Sequence, residues 1–264
     1  MEKVAILIVT NDAYLAAFGN IWWKCFKHYW SDCHWPVLFV TPTADLPGLP
    51  VLTLSKDEGW NRRALAGLQE LNSRHKPDTT LILHEDYLIG PQRNPGAYNS
   101  DILKCVNIMA VDPRVRSIGL VRKDPETKPY EGWPEMLGYH ALGGGILPVD
   151  VGGINLWKTT ELERHLKEVI KEIPVIRDQG RNGAAEFSLL GSIWAKQREE
   201  THLRVRRHIL YPQGILHILF GVTLTLGQLV MNGSDIGIVE QALCCKLLEI
   251  KELQPYINGS TLKL

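Results

Sequence analysis

The spacing of hydrophobic and polar positions changes several times along the chain, and each change marks an element. "KVAILIVTND" opens with an unbroken apolar run, Val4 to Val9, that ends in Thr10, Asn11 and Asp12. Such a run reads as a strand that meets polar surroundings only at its carboxyl end. From Ala13 to about Trp30 the pattern is helical and rich in aromatics, and "WPVLFVTPT" is a second strand, closed by prolines. In "DEGWNRRALAGLQELNSRHKP", Trp60, Ala64, Leu68 and Leu71 fall on one helical face, with Arg62, Arg63 and Gln69 elsewhere. Asp57 is placed to cap that helix near its start. Then follow the strand "TTLILHEDYLI", a helix around Ile102 to Ala110 and the strand "RSIGLV". Strands alternating with helices predict an α/β fold, a mostly parallel central sheet covered by helices.

The middle of the chain departs from this rhythm. Arg122 to Gly153 carries prolines, glycines, Trp133 and Tyr139 with little periodicity, and a loop of that length is usually functional or mobile. "LWKTTELERHLKEVIKEI" is then an amphipathic helix, "AAEFSLLGSIWAKQREE" a further one, and Asp235 to Glu252 a last helix expected across the back of the sheet. "GILHILFGVTLTLGQLVM", Gly214 to Met231, approaches the about 20 apolar residues of a membrane span. His217, Thr223, Thr225, Gln228 and its glycines point instead to buried strands or a core helix, with peripheral membrane contact left open.

Composition narrows the function classes. The chain has 264 residues, 45% hydrophobic and 22% charged, the range of an ordinary globular protein. Lys plus Arg and Asp plus Glu number 29 each, so there is no general basic field to draw nucleic acid. Five cysteines without framework spacing, and an opening "MEKVAILIV" without a signal-peptide pattern, set the expectation of a reducing, cytoplasmic compartment. The sequence has no Walker loop, no GxGxxG after a strand and no GxSxG elbow; the glycines of "LGGGIL" sit inside the long loop as a hinge. Cys25, His28, Cys33 and His34 fit no common zinc spacing, and Cys25 and His28 lie on the aromatic helix, where core packing is the stronger reading.

The chemistry concentrates in "LILHEDYLIG". In a parallel sheet the strands deliver their carboxyl ends to one edge, where ligands bind. The first strand brings Thr10, Asn11 and Asp12 there, and the later one His84, Glu85 and Asp86. Alternation puts His84 and Asp86 on one face and Glu85 on the other unless the chain bends. These charges could simply solvate a strand end. Hydrophobicity resumes with Tyr87, Leu88 and Ile89, however, so they interrupt a buried stretch, where a cation or a sugar diphosphate would relieve the burial of a carboxylate.

The succession of the first strand with its polar end, "DEGWNRRALAGLQEL", "LILHEDYLI", "INLWKTTELERHL" and "GAAEFSLLGS" resembles bacterial and viral glycosyltransferases of the GT-A type. These belong to the nucleotide-diphospho-sugar transferase superfamily, and the likeness is to lipopolysaccharide-core or capsule-type enzymes over roughly Lys3 to Ser192. The resemblance implies a GT-A domain over residues 1–264. Within it, 1–121 holds the nucleotide sugar, 122–234 supplies acceptor-side loops and helices, and 235–264 forms a C-terminal helix and tail. It implies a nucleotide diphosphate sugar as donor, a glycan or glycolipid as acceptor, and a divalent metal. Asp86 is the nearest match to the last acid of the family's DxD. Thr10, Asn11, Asp57 and Arg63, with Glu85, are then candidates for the nucleotide side. His84 stands where many relatives carry an acid; as a ligand beside Asp86 it would favour Mn2+ over Mg2+.

Glu186 matches the acid that, in the resembled enzymes, opens a helix and takes the acceptor proton. Gly180 and Gly183 mark a loop-to-helix junction before it, where a helix dipole would keep it ionised. The plainer reading is a Glu that only stabilises its helix. Two rival functions also stand: a non-catalytic nucleotide- or glycan-binding module, and a metal-dependent nucleotidyl or phosphoryl transferase.

Overall fold

The computed structural model describes residues 3–83, 88–89, 95–120, 128–129, 137–139, 154–178, 182–198, 200–205 and 212–213. His84, Glu85, Asp86, Trp133, the Gly214–Met231 run and the expected helix from Asp235 lie outside them.

The opening run forms β1 (Val4–Val9), buried along its whole length. Successive side chains of a strand point to opposite faces. Val4, Ile6 and Ile8 therefore enter one core layer, while Ala5, Leu7 and Val9 enter the other. On the first face lies α1 (Asp12–Tyr29), whose Trp22 stacks on Phe26 with centroids 5.2 Å apart and meets Phe39 edge-on at 5.3 Å. The aromatic helix is thus core. On the other face α2 (Trp60–His75) buries Trp60, Ala64, Leu68 and Leu71, the stripe that the periodicity marks.

Parallel pairing joins β1 to β2 (Val37–Thr41) and to β4 (Thr79–Leu83), with Ile8 opposite both Phe39 and Leu83. Beyond β2 comes β3 (Val51–Thr53), also parallel and too short for the hydrophobic pattern to announce. After β5 (Leu88–Ile89), α3 (Ala97–Val111) leads to β6 (Val115–Gly119). Two short strands, β7 (Lys128–Pro129) and β8 (Leu137–Tyr139), fall within the stretch expected to be loop, and Tyr139 ends the second. Next, β9 (Asn155–Lys158) enters between β4 and β6, antiparallel to both.

Leu156 to Lys158 were expected to open a helix, but they are strand. Bonded to neighbours on both sides, these residues satisfy their backbone groups more fully than a frayed helix start would. The helix begins only at α4 (Thr159–Glu172), followed by α5 (Val175–Asp178), α6 (Asn182–Gln197), β10 (Thr201–Val205) and β11 (Pro212–Gln213). The sheet order is β3-β2-β1-β4-β9-β6-β10-β8-β7, in which β8 and β9 alone run against the common direction; β5 and β11 form a separate antiparallel pair. This is the expected helix-covered, mostly parallel sheet. Among the described residues, no helix is long and apolar enough to cross a membrane.

Candidate functional site

In an open α/β sheet the ligand crevice forms at the carboxyl ends of the strands, where the strand order reverses. Here the chain steps outward from β1 to β2 and β3, then returns to β4 on the other side of β1. The reversal therefore lies between β1 and β4. Their parallel register, ending with Ile8 beside Leu83, brings both carboxyl ends to one edge. Thr10 and Asn11 leave β1 at this edge; the residues after Leu83 include His84, Glu85 and Asp86, which are not among those described.

The turn after β1 is held by its own sequence. Thr10 is buried, donates its backbone N–H to Val40 at 2.9 Å, and directs its hydroxyl to the Asn11 carbonyl at 3.3 Å. That carbonyl accepts the Leu15 N–H at 2.8 Å and so starts α1. Asp12 then binds the turn that follows β2. It accepts from the hydroxyls of Thr41 and Thr43, both at 2.6 Å, and from the backbone N–H groups of Thr43 and Ala44 at 2.9 and 2.8 Å. Burial pushes the Asp12 carboxyl up, but these donors outweigh it and hold the group well below the usual carboxylate range. The two turns beside the crevice are thus one unit. The threonines of "TPT" were the sequence signal for it.

Asp57 and Arg63 do come together, as an ion pair at the start of α2. Arg63 is buried, and Asp57 is the accessible member, with 43% of its side chain exposed. Among the described residues, the buried Nε of Arg63 has no hydrogen-bond partner. Asp57 also accepts the Gly59 N–H at 2.9 Å, but it does not cap α2. The N-cap is Gly59, and the backbone N–H of Asn61 is taken at 3.1 Å by Asp178, far away in sequence. Sequence reasoning missed the contact between Asp178 and Asn61, because no local motif joins them.

Glu186 is the fifth residue of α6, past the first turn, which contains no acid. The dipole effect fades within the first turn. The helix-end argument for Glu186 therefore weakens, although the helix itself stands in a useful place. The Asn61 amide donates to the Gly183 carbonyl at 2.9 Å, and Trp60 meets Phe187 at 5.3 Å, so the starts of α2 and α6 are in contact. Among the described residues there is no group of three or more His, Cys, Asp or Glu side chains able to hold a metal ion.

Two other features lie apart from this edge. Ser117, His202 and Glu200 form a hydroxyl–imidazole–carboxylate series, with Ser117 Oγ 2.7 Å from His202 Nδ1 and His202 Nε2 3.5 Å from Glu200. Ser117 and His202 are buried, Trp157 lies against the imidazole, and Glu200 is bound by Arg164 at 2.7 Å. The series braces β6, β10 and α4 and is closed to a substrate. A groove of about 750 Å³ lined by Trp23, Phe26, Lys27, Trp30, Trp35 and Pro50 opens at the far end of α1, on the opposite edge from Asn11.

No family model and no curated protein matches the sequence. Several solved structures resemble it in layout. A putative nucleotide-diphospho-sugar transferase from Desulfovibrio desulfuricans is 10% identical, with 98% of each chain covered and a TM-score of 0.44. A mannose-1-phosphate geranyltransferase from Thermus thermophilus is 11% identical over 81% of this chain and 76% of its own, with a TM-score of 0.44. A galactosyltransferase, LgtC, in complex with donor and acceptor sugar analogues is 13% identical over 72% of this chain and 70% of its own, with a TM-score of 0.38. At these identities the likenesses assign neither substrates nor residue roles. The chain's own strand order reverses at β1 and carries the antiparallel β9 beside β4, within a mostly parallel, helix-covered sheet.

Proposed function

We propose that this chain transfers a sugar from a nucleotide diphosphate sugar to a glycan or glycolipid, at the crevice between β1 and β4. The observation that carries the proposal is convergence. The strand-order reversal sets the Thr10–Asn11 turn and the end of β4 on one edge. Asp57 and Arg63 lie at the start of the helix that contacts α6, which carries Glu186.

Each residue has a role in this reading. Asn11 and the accessible Asp57 face the nucleoside, Thr10 shapes the turn beneath it, and Arg63 holds Asp57 from behind. Asp86 and His84, with Glu85 beside them, serve the diphosphate through a divalent cation, which when bound would offset charge on the leaving group. Glu186 accepts the acceptor hydroxyl's proton as that oxygen bonds to the anomeric carbon; the bond from that carbon to the diphosphate breaks, and the nucleoside diphosphate leaves with its electrons.

The test is incubation with a panel of nucleotide sugars, with Mn2+ or with chelator, followed by analysis of the released phosphates. Free nucleoside diphosphate, lost on chelation, is the expected result. Binding without release would make the protein a binding module, and pyrophosphate would make it a nucleotidyl transferase.

A further inference from the structure

The first turns of α2 and α6 meet on one buried carboxylate. Asp178, the last residue of α5, is fully buried. Its Oδ1 accepts the Asn61 backbone N–H at 3.1 Å and the Asn61 side-chain amide at 2.6 Å, while its Oδ2 accepts Arg62 Nη1 at 3.0 Å. The same Asn61 amide reaches the Gly183 carbonyl at 2.9 Å. Both neighbouring glycines are explained by this approach: a Cβ at Gly59 or at Gly183 would come within 2.5 Å of Asp178 atoms.

The contacts divide between two helices. Gly59, Asn61 and Arg62 belong to the end of α2 that also holds the Asp57–Arg63 pair, and Gly183 opens the helix that carries Glu186. A helix cap requires one acceptor on one helix. Removing a carboxylate from water is costly, and here its donors come from one helix while its bulk fits against the other. That arrangement fixes a distance between them.

We infer that Asp178 is a positioning residue for sugar transfer, holding α6, and with it Glu186, in place against the donor side of the crevice. This rests on the reading of Glu186 as proton acceptor. Misplacing a reacting group by about 1 Å can cost about 10²-fold in rate. Asp178→Asn keeps the volume and one acceptor oxygen, but turns amide hydrogens toward donors, so it loosens the joint.

The experiment is a double-mutant cycle of Asp178→Asn with Glu186→Gln, read as nucleoside diphosphate release from the nucleotide-sugar panel, with binding of the corresponding nucleoside diphosphate measured alongside. In the wild-type background Asp178→Asn should slow release at least about tenfold, a partial misplacement on that scale, with nucleotide affinity nearly unchanged. In the Glu186→Gln background it should add less than about twofold, because the group it positions is gone. Equal losses in both backgrounds would overturn the inference, since loss of folded protein acts alike in both. No loss in the wild-type background would overturn it too. Normal release by Glu186→Gln alone would instead remove the reading of Glu186, and the inference with it. If Asp178→Asn does not fold, Asn61→Ala serves in the same cycle: it removes the bridge to Gly183 and leaves the Arg62 pair intact.

Discussion

At the scale of single residues, the fold uses ionisable groups in two opposite ways. Asp12 is held charged by four donors, whereas His165 is held neutral. Burial lowers the His165 pKa to about 4, against a weaker opposing pull from its contact with the Phe187 carbonyl at 3.2 Å. Its ring stacks on Trp157 and meets Phe187 and Trp194 edge-on, so a proton there has little solvation. The sign of the consequence follows. An unfolded chain takes up a proton near pH 6.5 and the native state only near pH 4, so this group's contribution is fully present above pH 6.5 and is lost as pH falls toward 4. Over that window wild-type stability should fall by up to about 1.4 kcal/mol per pH unit. His165→Gln should remove most of that slope, as read from urea midpoints at a series of pH values. A wild-type midpoint flat between pH 6.5 and 4 would contradict this account of the core. The Asp12 contribution is lost only at lower pH, below the ordinary carboxylate range.

At the scale of elements, the joint between α2 and α6 ties the start of one helix to the start of the other through Asp178 and Asn61. Gly59 has a φ of +97°, and a Cβ there would also meet Asp178 at 2.5 Å. Gly59→Ala therefore combines left-handed backbone strain with a clash against a buried carboxylate. It should destabilise by about 2 kcal/mol or more, visible as a lowered urea midpoint; a loss below about 0.5 kcal/mol, the range of ordinary surface changes, would show that the joint gives way easily. None of this could be read from the sequence. Asp178 lies in "VIRDQGRNGAAEF", where it reads as a loop acid, and its partners on α2 are more than a hundred positions away. By contrast, β1 and the apolar stripe of α2 were legible, because hydrophobic burial follows local period. The period put Arg63 off the apolar stripe without saying whether it is buried: its burial depends on Asp57 and on packing that no spacing records. Similarly, Leu156 to Lys158 read as helix because the helical pattern that follows begins without a break, while the strand is imposed by pairing with β4 and β6.

At the scale of the whole molecule, the central claim is that the nucleotide sits where the strand order reverses, rather than in the aromatic groove at the other end of α1. Strand order is a long-range property that no local period records, yet the alternation of strands and helices was enough to expect the first strand and the "LILHEDYLI" strand close together in one sheet, with their polar ends on one edge. The structure places the ends of β1 and β4 side by side. Backbone hydrogen exchange tests the claim directly. With a nucleoside diphosphate and Mn2+ added, the amides of Thr10 to Asp12 and of Asp57 to Arg63 should exchange more slowly, while those of Ser31 to Val37, beside the groove, should not change. Slowing at Ser31 to Val37 with none at Thr10 to Asp12, or no slowing anywhere, would contradict it.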